Sequence, residues 1–304
     1  MIYNVALIGY GYWGPKLGRN FYNSSKFKIK KIVDLSNKNL LKAKKDFGNI
    51  STSKNYKNIG KNCDLVVIAT TTQSHFNLAL YFLKRGFNVL VEKPLCLKLS
   101  QIKTLEKISK KNKCKIFVDY PFIFSGSIKF IKKIIDSKKY GKLLRIESYR
   151  EQAPIRKDVN VIWDLAVHDI SILYYLLKQS PNKISSTKLR MKKNKMEDSA
   201  QIQLTYPNKM EVFIKTSWIS PEKIRLMKFK FEKADIICDE NEPIYKIKLF
   251  VKSKNSNKYK LLIPELDLNE PLSNLVKYIY KNLKSKINIF DKLNQKITQT
   301  LEKI

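Results

Sequence analysis

The stretch that decides the fold is Tyr3-Asn-Val-Ala-Leu-Ile-Gly9-Tyr-Gly11-Tyr-Trp-Gly14, near the start of the chain. An apolar run typical of a buried strand leads directly into the pattern G-x-G-x-x-G, and residues 16–22 follow as a helix-like segment. In such a unit Gly9 permits a tight turn, Gly11 lets the backbone approach a pyrophosphate, and Gly14 allows close packing of helix and strand. The N–H groups at the helix start would then face the phosphates. The stretch therefore predicts a strand–turn–helix unit that binds a dinucleotide.

An acidic residue, Asp34, ends the next predicted strand, residues 28–33. It lies roughly 20 residues beyond the glycines, a spacing that suits a carboxylate accepting hydrogen bonds from ribose hydroxyls. Its charge would oppose a 2′-phosphate, although Lys31 and Lys38 could offset part of that repulsion. The sequence therefore predicts NAD as the cofactor and leaves NADP as the less favoured alternative.

The composition is that of a soluble globular protein with two domains: 304 residues, 43% hydrophobic and 28% charged. No apolar run approaches the ~18–20 residues of a membrane helix. No basic segment precedes an apolar one at the N-terminus, so we expect no secretion signal, no membrane association and a cytoplasmic location. The four cysteines form no CxxC pair and show no metal-ligand spacing, which favours buried free thiols and no metal site; they are Cys63, Cys96, Cys114 and Cys238.

The formal net charge of +34 raises the question of nucleic-acid binding. The basic residues are spread along the whole chain and are almost all lysine, whereas arginine is preferred for bidentate phosphate and base contacts. There is no basic tail and no nucleic-acid motif. We therefore expect no specific nucleic-acid partner, and only some attraction of anionic substrates.

Strand and helix signals alternate over the first 119 residues. The strands are predicted at 3–8, 28–33, 64–69, 88–91 and 115–118, and the helices at 13–22, 38–47, 75–84 and 99–111. The strands are nearly continuous apolar runs, as expected for a parallel sheet covered on both faces. The pattern predicts a doubly wound Rossmann domain over residues 1–119 that binds the dinucleotide.

The pattern changes beyond residue 119. Helices are predicted at 125–137 and 165–177, strands at 142–149, 183–191, 200–206, 210–218, 226–231, 234–238 and 244–251, and two C-terminal helices at 272–283 and 289–301. Residues 206–209 read as the turn of a hairpin. We expect an α+β domain over residues 120–304, with a mostly antiparallel open sheet that serves substrate binding and oligomerisation. Because exposed antiparallel sheet faces often pair, a homo-oligomer is expected through that face.

Glu92-Lys93-Pro94 directly follows the predicted strand 88–91. Ligands of a doubly wound sheet bind at the carboxyl ends of its strands, so Lys93 should point into the cleft. Pro94 biases Lys93 towards an extended backbone, and a desolvated lysine can exchange a proton near neutrality. The alternative is an ordinary surface pair of Glu92 and Lys93 at a strand end.

Asp164 and His168 are four residues apart, which places them on one face near a helix start. A carboxylate beside an imidazole orients the ring and suits it to act as a general base. The alternative is an N-cap aspartate and a core histidine. Asp169 faces elsewhere on the helix and is interpreted as structural.

Thr70 and His75 lie in the loop after the predicted strand 64–69 and are expected on the cofactor side. The alternative for His75 is a residue at a helix start that hydrogen-bonds to loops. Tyr12 and Trp13, with Tyr10, either cover the cofactor or pack beside the strand.

This layout resembles the glucose–fructose oxidoreductase / inositol dehydrogenase family, often called Gfo/Idh/MocA. Four marks carry the resemblance: the glycines of 9–14, Ile68-Ala-Thr70 with His75, Glu92-Lys93-Pro94, and Asp164-x-x-x-His168. The forms of residues 9–15 and 163–169 are similar to those of nucleotide-sugar dehydrogenases of surface-polysaccharide pathways. Two segments depart from the family: it often has proline at Thr71 or Thr72, and many members have a glycine-rich segment where this chain has residues 160–163.

The resemblance implies a dehydrogenase that transfers hydride between a secondary hydroxyl of a sugar, nucleotide-linked in this subgroup, and NAD(P). It implies that His168, oriented by Asp164, is the base, that Lys93 contacts the reacting hydroxyl and the nicotinamide side, and that Glu92 belongs to the cofactor site. Dimers or tetramers are common in the family. The alternatives are a reductase of a non-sugar carbonyl or imine, a non-catalytic NAD-binding sensor of the same fold, and a purely structural cationic protein.

Overall fold

The structure, a computed structural model, describes residues 1–190, 196–253, 258–285 and 288–304. These residues form two compact units. The first unit comprises residues 1–121 and 270–298, and the second comprises residues 122–269 and 299–304. Each contains one sheet, and the fold class predicted from the sequence is confirmed.

The first unit is built on a six-stranded parallel sheet in the order β3-β2-β1-β4-β5-β6. Its strands are β1 Tyr3–Ile8, β2 Phe27–Val33, β3 Ser51–Ser53, β4 Leu65–Ile68, β5 Asn88–Glu92 and β6 Ile116–Asp119. The intervening helices are α1 Gly14–Tyr22, α2 Asn37–Phe47, α3 Thr72–Leu83 and α4 Leu99–Lys111. Strand order reverses between β1 and β4, so the loops after these two strands flank the crevice where ligands of such sheets bind.

All four residues of β4 are buried, as are the last four of β5, which agrees with the prediction of a sheet covered on both faces. The strand β3 was not predicted. It is a short polar edge strand, Ser-Thr-Ser, and carries no apolar signal.

The second unit is built on an eight-stranded sheet in the order β14-β13-β12-β11-β7-β10-β9-β8. Its strands are β7 Leu143–Glu151, β8 Lys183–Leu189, β9 Ser199–Thr205, β10 Glu211–Ser217, β11 Ile224–Phe231, β12 Ala234–Asp239, β13 Ile247–Lys252 and β14 Tyr259–Leu262. Neighbouring strands are antiparallel except β7 and β10, which are parallel. The β9–β10 hairpin closes with Tyr206 N donating to Met210 O at 2.9 Å, so the predicted hairpin is confirmed.

Two helices of the second unit are α5 Gly126–Ser137 and α6 Val167–Leu177. Of the eleven residues of α6, eight are buried, as expected for a mostly buried helix. The sequence predicts this helix at 165–177, and the observed α-helix begins two residues later, because a π-helical turn, Ile162–Ala166, precedes it. Met191, at the end of the predicted strand 183–191, lies outside the described residues. The strand β14 was not predicted, and its four residues are exposed at the sheet edge.

The C-terminal helices are α7 Pro271–Asn282 and α8 Leu293–Lys303. The sequence pattern assigns residues 270–298 to the second domain, whereas the structure groups them with the first unit. The reason is packing: α7 contacts α1 and β6, the rings of Phe117 and Phe290 lie 6.1 Å apart, and Asn288 Nδ2 donates to Ile116 O at 2.8 Å. The amphipathic pattern indicates a helix but does not reveal what its apolar face covers.

Candidate active site

The glycine turn after β1 has the geometry expected of a phosphate-binding loop. Gly9 has φ +91°, and a Cβ on it would overlap the backbone oxygen of Ala69. A Cβ on Gly14 would overlap the carbonyl oxygen of Gly9. Glycine is therefore required at both positions by the protein itself.

Gly11 differs, because a Cβ on it would meet no protein atom within 4 Å. The protein imposes no requirement for glycine there, but a ligand lying against the turn would. No side chain caps the N-terminus of α1 within the described residues, and the helix has Pro15 in its first turn. Pro15 has no N–H, and the N–H of Lys16 donates to Trp13 O at 3.0 Å, so the backbone donors that can face an anion are those of the turn up to Gly14. The open space and the available donors fit the pyrophosphate of a dinucleotide.

Asp34 braces this turn. One carboxylate oxygen accepts from Tyr10 N at 2.6 Å and the other from Ser36 N at 2.8 Å. A carboxylate has about four lone-pair sites, so capacity remains for ribose hydroxyls. The bracing was not anticipated, because the spacing suggests only a ligand contact.

The aromatic residues of the turn separate into two kinds. Tyr10 is buried, and its hydroxyl donates to Asp46 at 2.7 Å, so it is a packing residue. Tyr12 is 76% exposed. Trp13 donates from Nε1 to Asp119 Oδ2 at 2.5 Å, and the Lys16 ammonium lies 4.3 and 4.1 Å from the ring centroids of Tyr12 and Trp13.

His75 joins two loops at the carboxyl edge of the sheet. The ring is 1% exposed, and its Nδ1 and Nε2 lie 2.8 Å from Pro94 O and 3.2 Å from Thr70 O. These contacts match the alternative in which His75 hydrogen-bonds to loops. They also tie the Thr70 loop to the loop that carries Lys93.

The departure from proline at Thr71 leaves the backbone unaffected. Thr71 precedes α3 with φ −73° and ψ 148°, which lies in the range that proline imposes. Thr70 Oγ1 and Ser74 Oγ are 2.6 Å apart, which links this loop to the first turn of the helix.

Glu92 and Lys93 lie where the sequence predicts, at the carboxyl end of β5. Lys93 is half-buried, and its backbone N donates to Glu92 Oε2 at 3.1 Å. Glu92 pairs in register with Asp119 at the end of β6. Burial raises the pKa of Asp119, against hydrogen bonds from Glu92 and Trp13 and the positive charge of Lys93, which act in the opposite direction. Asp119 is thus a member of the site that sequence reasoning missed, although its position at a strand end was a signal.

Asp164 lies in the π-helical turn of the second unit and is held by side chains. Trp218 Nε1 donates to its Oδ2 at 2.9 Å, and Arg156 Nη1 lies 3.5 Å from its Oδ1. Arg156 also binds Asp158 through Nε and Nη2, at 2.8 and 2.5 Å. Neither Trp218 nor Arg156 was predicted. A π-helical turn is wider than an α-helical one, so a spacing of four residues does not by itself place two side chains on one face. That Asp164 and His168 share a face therefore stays a prediction.

The segment that replaces the glycine-rich one of many family members is a capped turn. Asn160 Oδ1 accepts from Trp163 N at 3.1 Å, and Asn160 Nδ2 donates to Glu197 Oε2 at 3.1 Å. The amide side chain of Asn160 therefore stabilises the entry to the turn that carries Asp164.

His168 lies in the first turn of α6, with Phe122 packed edge-on against its ring at a centroid distance of 5.0 Å. Phe122 also lies 4.4 Å from the guanidinium of Arg150. Arg150 forms a buried ion pair with Asp169, at 3.0 to 3.1 Å, and Ser148 Oγ donates to the same carboxylate at 2.9 Å. The interpretation of Asp169 as structural agrees with these contacts.

Comparison with known proteins places these features in a family. The model of an oxidoreductase family with an NAD-binding Rossmann fold, GFO_IDH_MocA, matches residues 3–120, and the model of the GFO/IDH/MocA C-terminal domain matches residues 128–238. The chain belongs to the Gfo/Idh/MocA family. The resemblance inferred from the sequence is confirmed, and the first 120 residues are an NAD-binding Rossmann domain.

The curated relatives are similar over part of their length. Inositol 2-dehydrogenase of Rhizobium meliloti is 27% identical over 130 residues, which is 41% of this chain and 39% of that protein. Glucose-6-phosphate 3-dehydrogenase of Bacillus subtilis is 22% identical over 211 residues, 61% of this chain and 59% of that protein. The chain therefore matches less than two thirds of the length of either relative.

Solved structures are similar over the whole chain. UDP-N-acetylglucosamine 3-dehydrogenase from Acidithiobacillus ferrooxidans has a TM-score of 0.87 at 15% identity and covers 100% of this chain and 97% of its own. An oxidoreductase from Agrobacterium radiobacter, in complex with NAD+, L-tartaric acid and magnesium, has a TM-score of 0.86 at 19% identity and covers 99% and 95%. At these identities the likeness establishes the fold. The described residues contain no helix long and apolar enough to cross a membrane and no cluster of metal-ligating side chains.

Proposed function

We propose that the protein is an NAD-dependent dehydrogenase that oxidises a secondary hydroxyl of a sugar, or reduces the corresponding ketone. The observation that carries the proposal is the open space at Gly11, bounded by a turn that requires glycine at Gly9 and Gly14. A dinucleotide pyrophosphate fits that space, and Lys93 follows β5, which is separated from β1 by β4 alone, at the same edge of the sheet.

The cofactor would be held by backbone groups and one acid. The N-terminus of α1 would bind the pyrophosphate, and Asp34 would accept hydrogen bonds from the ribose hydroxyls. The charge of Asp34 favours NAD over NADP. When bound, the nicotinamide accepts or returns the hydride.

Three residues would handle the proton and the charge of the reacting hydroxyl. His168 takes the hydroxyl proton as general base, Asp164 orients its ring, and Lys93 stabilises the developing alkoxide. The donors of Trp218 and Arg156 would fix the position of the Asp164 carboxylate. Tyr12, Trp13, Thr70, His75 and Glu92 would border the cofactor.

We further propose a nucleotide-linked sugar as the substrate, within surface-polysaccharide biosynthesis. The proposal rests on the forms of residues 9–15 and 163–169, and the formal net charge of +34 would attract such an anionic substrate. The first domain, to residue 119, would bind NAD, and the second would bind the sugar.

A homodimer or homotetramer would form through the sheet of the second unit. On one face of that sheet the Tyr149 and Phe213 rings, half-buried, lie 6.3 Å apart, and exposed aromatic area of this kind favours pairing with a second copy. Four buried free cysteines are consistent with a reducing, cytoplasmic location.

The test is His168→Ala, measured by the nicotinamide absorbance with a UDP-sugar, a free inositol and a cyclic imine as substrates. We expect turnover of the UDP-sugar, lowered by about 10²–10⁴-fold in the variant with NAD affinity unchanged. The matched control is Tyr175→Phe, on the same helix, which should retain wild-type turnover.

Equal turnover in the variant would contradict the role of His168. Turnover of the inositol or the imine alone would contradict the nucleotide-sugar assignment. NAD binding without turnover of any substrate would contradict the enzyme and favour a sensor.

A further inference from the structure

Two buried acids meet at the carboxyl edge of the parallel sheet. Glu92 ends β5 and Asp119 ends β6, and the two residues are register partners. Glu92 is 7% exposed and Asp119 is 0% exposed. Register partners on adjacent strands project their side chains to the same face, so two carboxyl groups are held side by side away from water. Two buried carboxylates so placed would repel each other strongly.

The Glu92 side chain lies close enough to act on the pKa of Asp119 through a hydrogen bond. An ionised carboxylate has acceptors only, so such a bond requires a proton on one of the two groups. Burial raises the pKa of Asp119, which acts in the same direction by favouring retention of that proton. The contact and the burial thus both indicate a carboxylic acid bound to a carboxylate.

The pair also contacts two residues of the candidate site. Trp13, at the end of the glycine turn, donates from Nε1 to Asp119 Oδ2 at 2.5 Å. The backbone N of Lys93 donates to Glu92 Oε2 at 3.1 Å, and the positive charge of Lys93 acts on Asp119. One negative charge on the pair would balance the one positive charge on Lys93.

We propose that Glu92 and Asp119 share a single proton, and that the resulting single negative charge positions Lys93 and Trp13. The pair consists of positioning residues that act through Lys93 and the glycine turn. The inference that the proton is shared rests on the register, the burial and the contacts of Glu92 and Asp119. The consequence for catalysis rests on the role of Lys93 in the proposed function.

Substitution of Glu92 and Asp119 by their isosteric amides distinguishes one negative charge shared by the pair from one negative charge on each residue. In Glu92→Gln the new amide N–H donates to the Asp119 carboxylate, and in Asp119→Asn it donates to the Glu92 carboxylate. Each single variant keeps one hydrogen bond and one negative charge. The double variant keeps an amide–amide hydrogen bond but carries no charge.

The kinetic expectation is therefore non-additive. We expect each single variant to lose turnover by about threefold and the double variant to lose more than the two single losses combined, roughly 10- to 100-fold, with the loss in kcat rather than in NAD affinity. Equal stepwise losses, with the double variant equal to the sum of the singles, would show two separate charges and overturn the proposal. Retention of turnover in the double variant would overturn the positioning role.

An infrared measurement tests the shared proton without any turnover. The wild-type protein at neutral pH should show the carbonyl absorption of a protonated carboxylic acid, and this band should disappear in each single variant. The control is Glu147→Gln, because Glu147 pairs with Arg145 at 3.0 Å and its loss should leave the band in place. A band that persists in both single variants, or is absent from wild type, would overturn the proposal. The infrared measurement needs no substrate. Its result therefore tests the shared proton even if the proposed dehydrogenase activity is not found.

Discussion

Asp34 in the first unit and Asp164 in the second are held by different kinds of donor. Asp34 accepts from the backbone N–H groups of Tyr10 and Ser36, whereas Asp164 accepts from the side chains of Trp218 and Arg156. Backbone donors are supplied by any residue with the right dihedral angles, and side-chain donors only by particular residues. The first region should therefore be sensitive to backbone conformation and the second to side-chain chemistry.

The comparison is tested most severely in the glycine turn, where Gly9 and Gly11 differ in what surrounds them. Gly9→Ala places a Cβ against the backbone of Ala69 at positive φ. We expect it to lower the free energy of unfolding by about 3 kcal/mol or more and to abolish NAD binding. The measurements are denaturant unfolding and NAD titration.

Gly11→Ala is the matched control, because its Cβ meets no protein atom within 4 Å. The free energy of unfolding should stay within about 0.5 kcal/mol of wild type, while NAD affinity falls at least about tenfold because the methyl group occupies the space proposed for the pyrophosphate. Undiminished NAD affinity in Gly11→Ala would place the cofactor elsewhere.

The second region is tested by Trp218→Phe, which removes the Nε1–H donor to Asp164 while keeping most of the ring. Since a buried acceptor loses its partner, we expect the free energy of unfolding to fall by about 1–3 kcal/mol. Turnover should fall while NAD affinity remains, because Asp164 has no part in the glycine turn.

The control for this substitution is Trp163→Phe. The backbone N–H of Trp163 donates to Asn160 Oδ1, and phenylalanine retains that donor. Similar losses of stability and turnover in the two variants would mean that ring packing, rather than the hydrogen bond, governs Asp164.

The same difference explains how much the sequence could predict. The glycine turn, Asp34 and the position of Lys93 follow from local chemistry: a strand, a turn that needs glycine, and residues at strand ends. The core helices and strands can also be predicted, because their apolar patterns extend over many residues. The polar strand β3 and the exposed strand β14 lack that signal.

The contacts of Asp164 come from residues far along the chain. Trp218 is 54 residues away and Glu197, which binds Asn160, is 37 residues from it. No spacing rule links such residues, so they are visible only once β10 and the π-helical turn are packed together. The partners of α7 in the first unit were missed for the same reason.

A smaller effect is expected for Asp34→Asn, which tests whether the acid selects the cofactor as well as bracing the turn. The side-chain oxygen of asparagine can accept one of the two backbone hydrogen bonds, but asparagine carries no charge. We expect NAD affinity to fall by about tenfold, at a cost of about 1.4 kcal/mol, and NADP affinity to rise. Calorimetric titration with both cofactors measures this, and an unchanged preference for NAD would show that Asp34 only braces the turn.

The smallest effect is expected for Glu106 on α4, which lies outside both regions and calibrates the comparison. Burial, with the nearby charge of Asp291, raises the pKa of Glu106 against a hydrogen bond from Gln295 and the charge of Lys110. The folded state therefore holds this proton at pH values where the unfolded state has released it, so wild-type stability declines as pH rises above the ordinary glutamate pKa of about 4.3. Glu106→Gln should lack that decline and leave NAD affinity and turnover unchanged, as thermal melting across the acidic range and enzyme assays would measure. A change in either functional property would mean that effects spread between distant parts of the chain, and the local assignment of the other variants would fail with it.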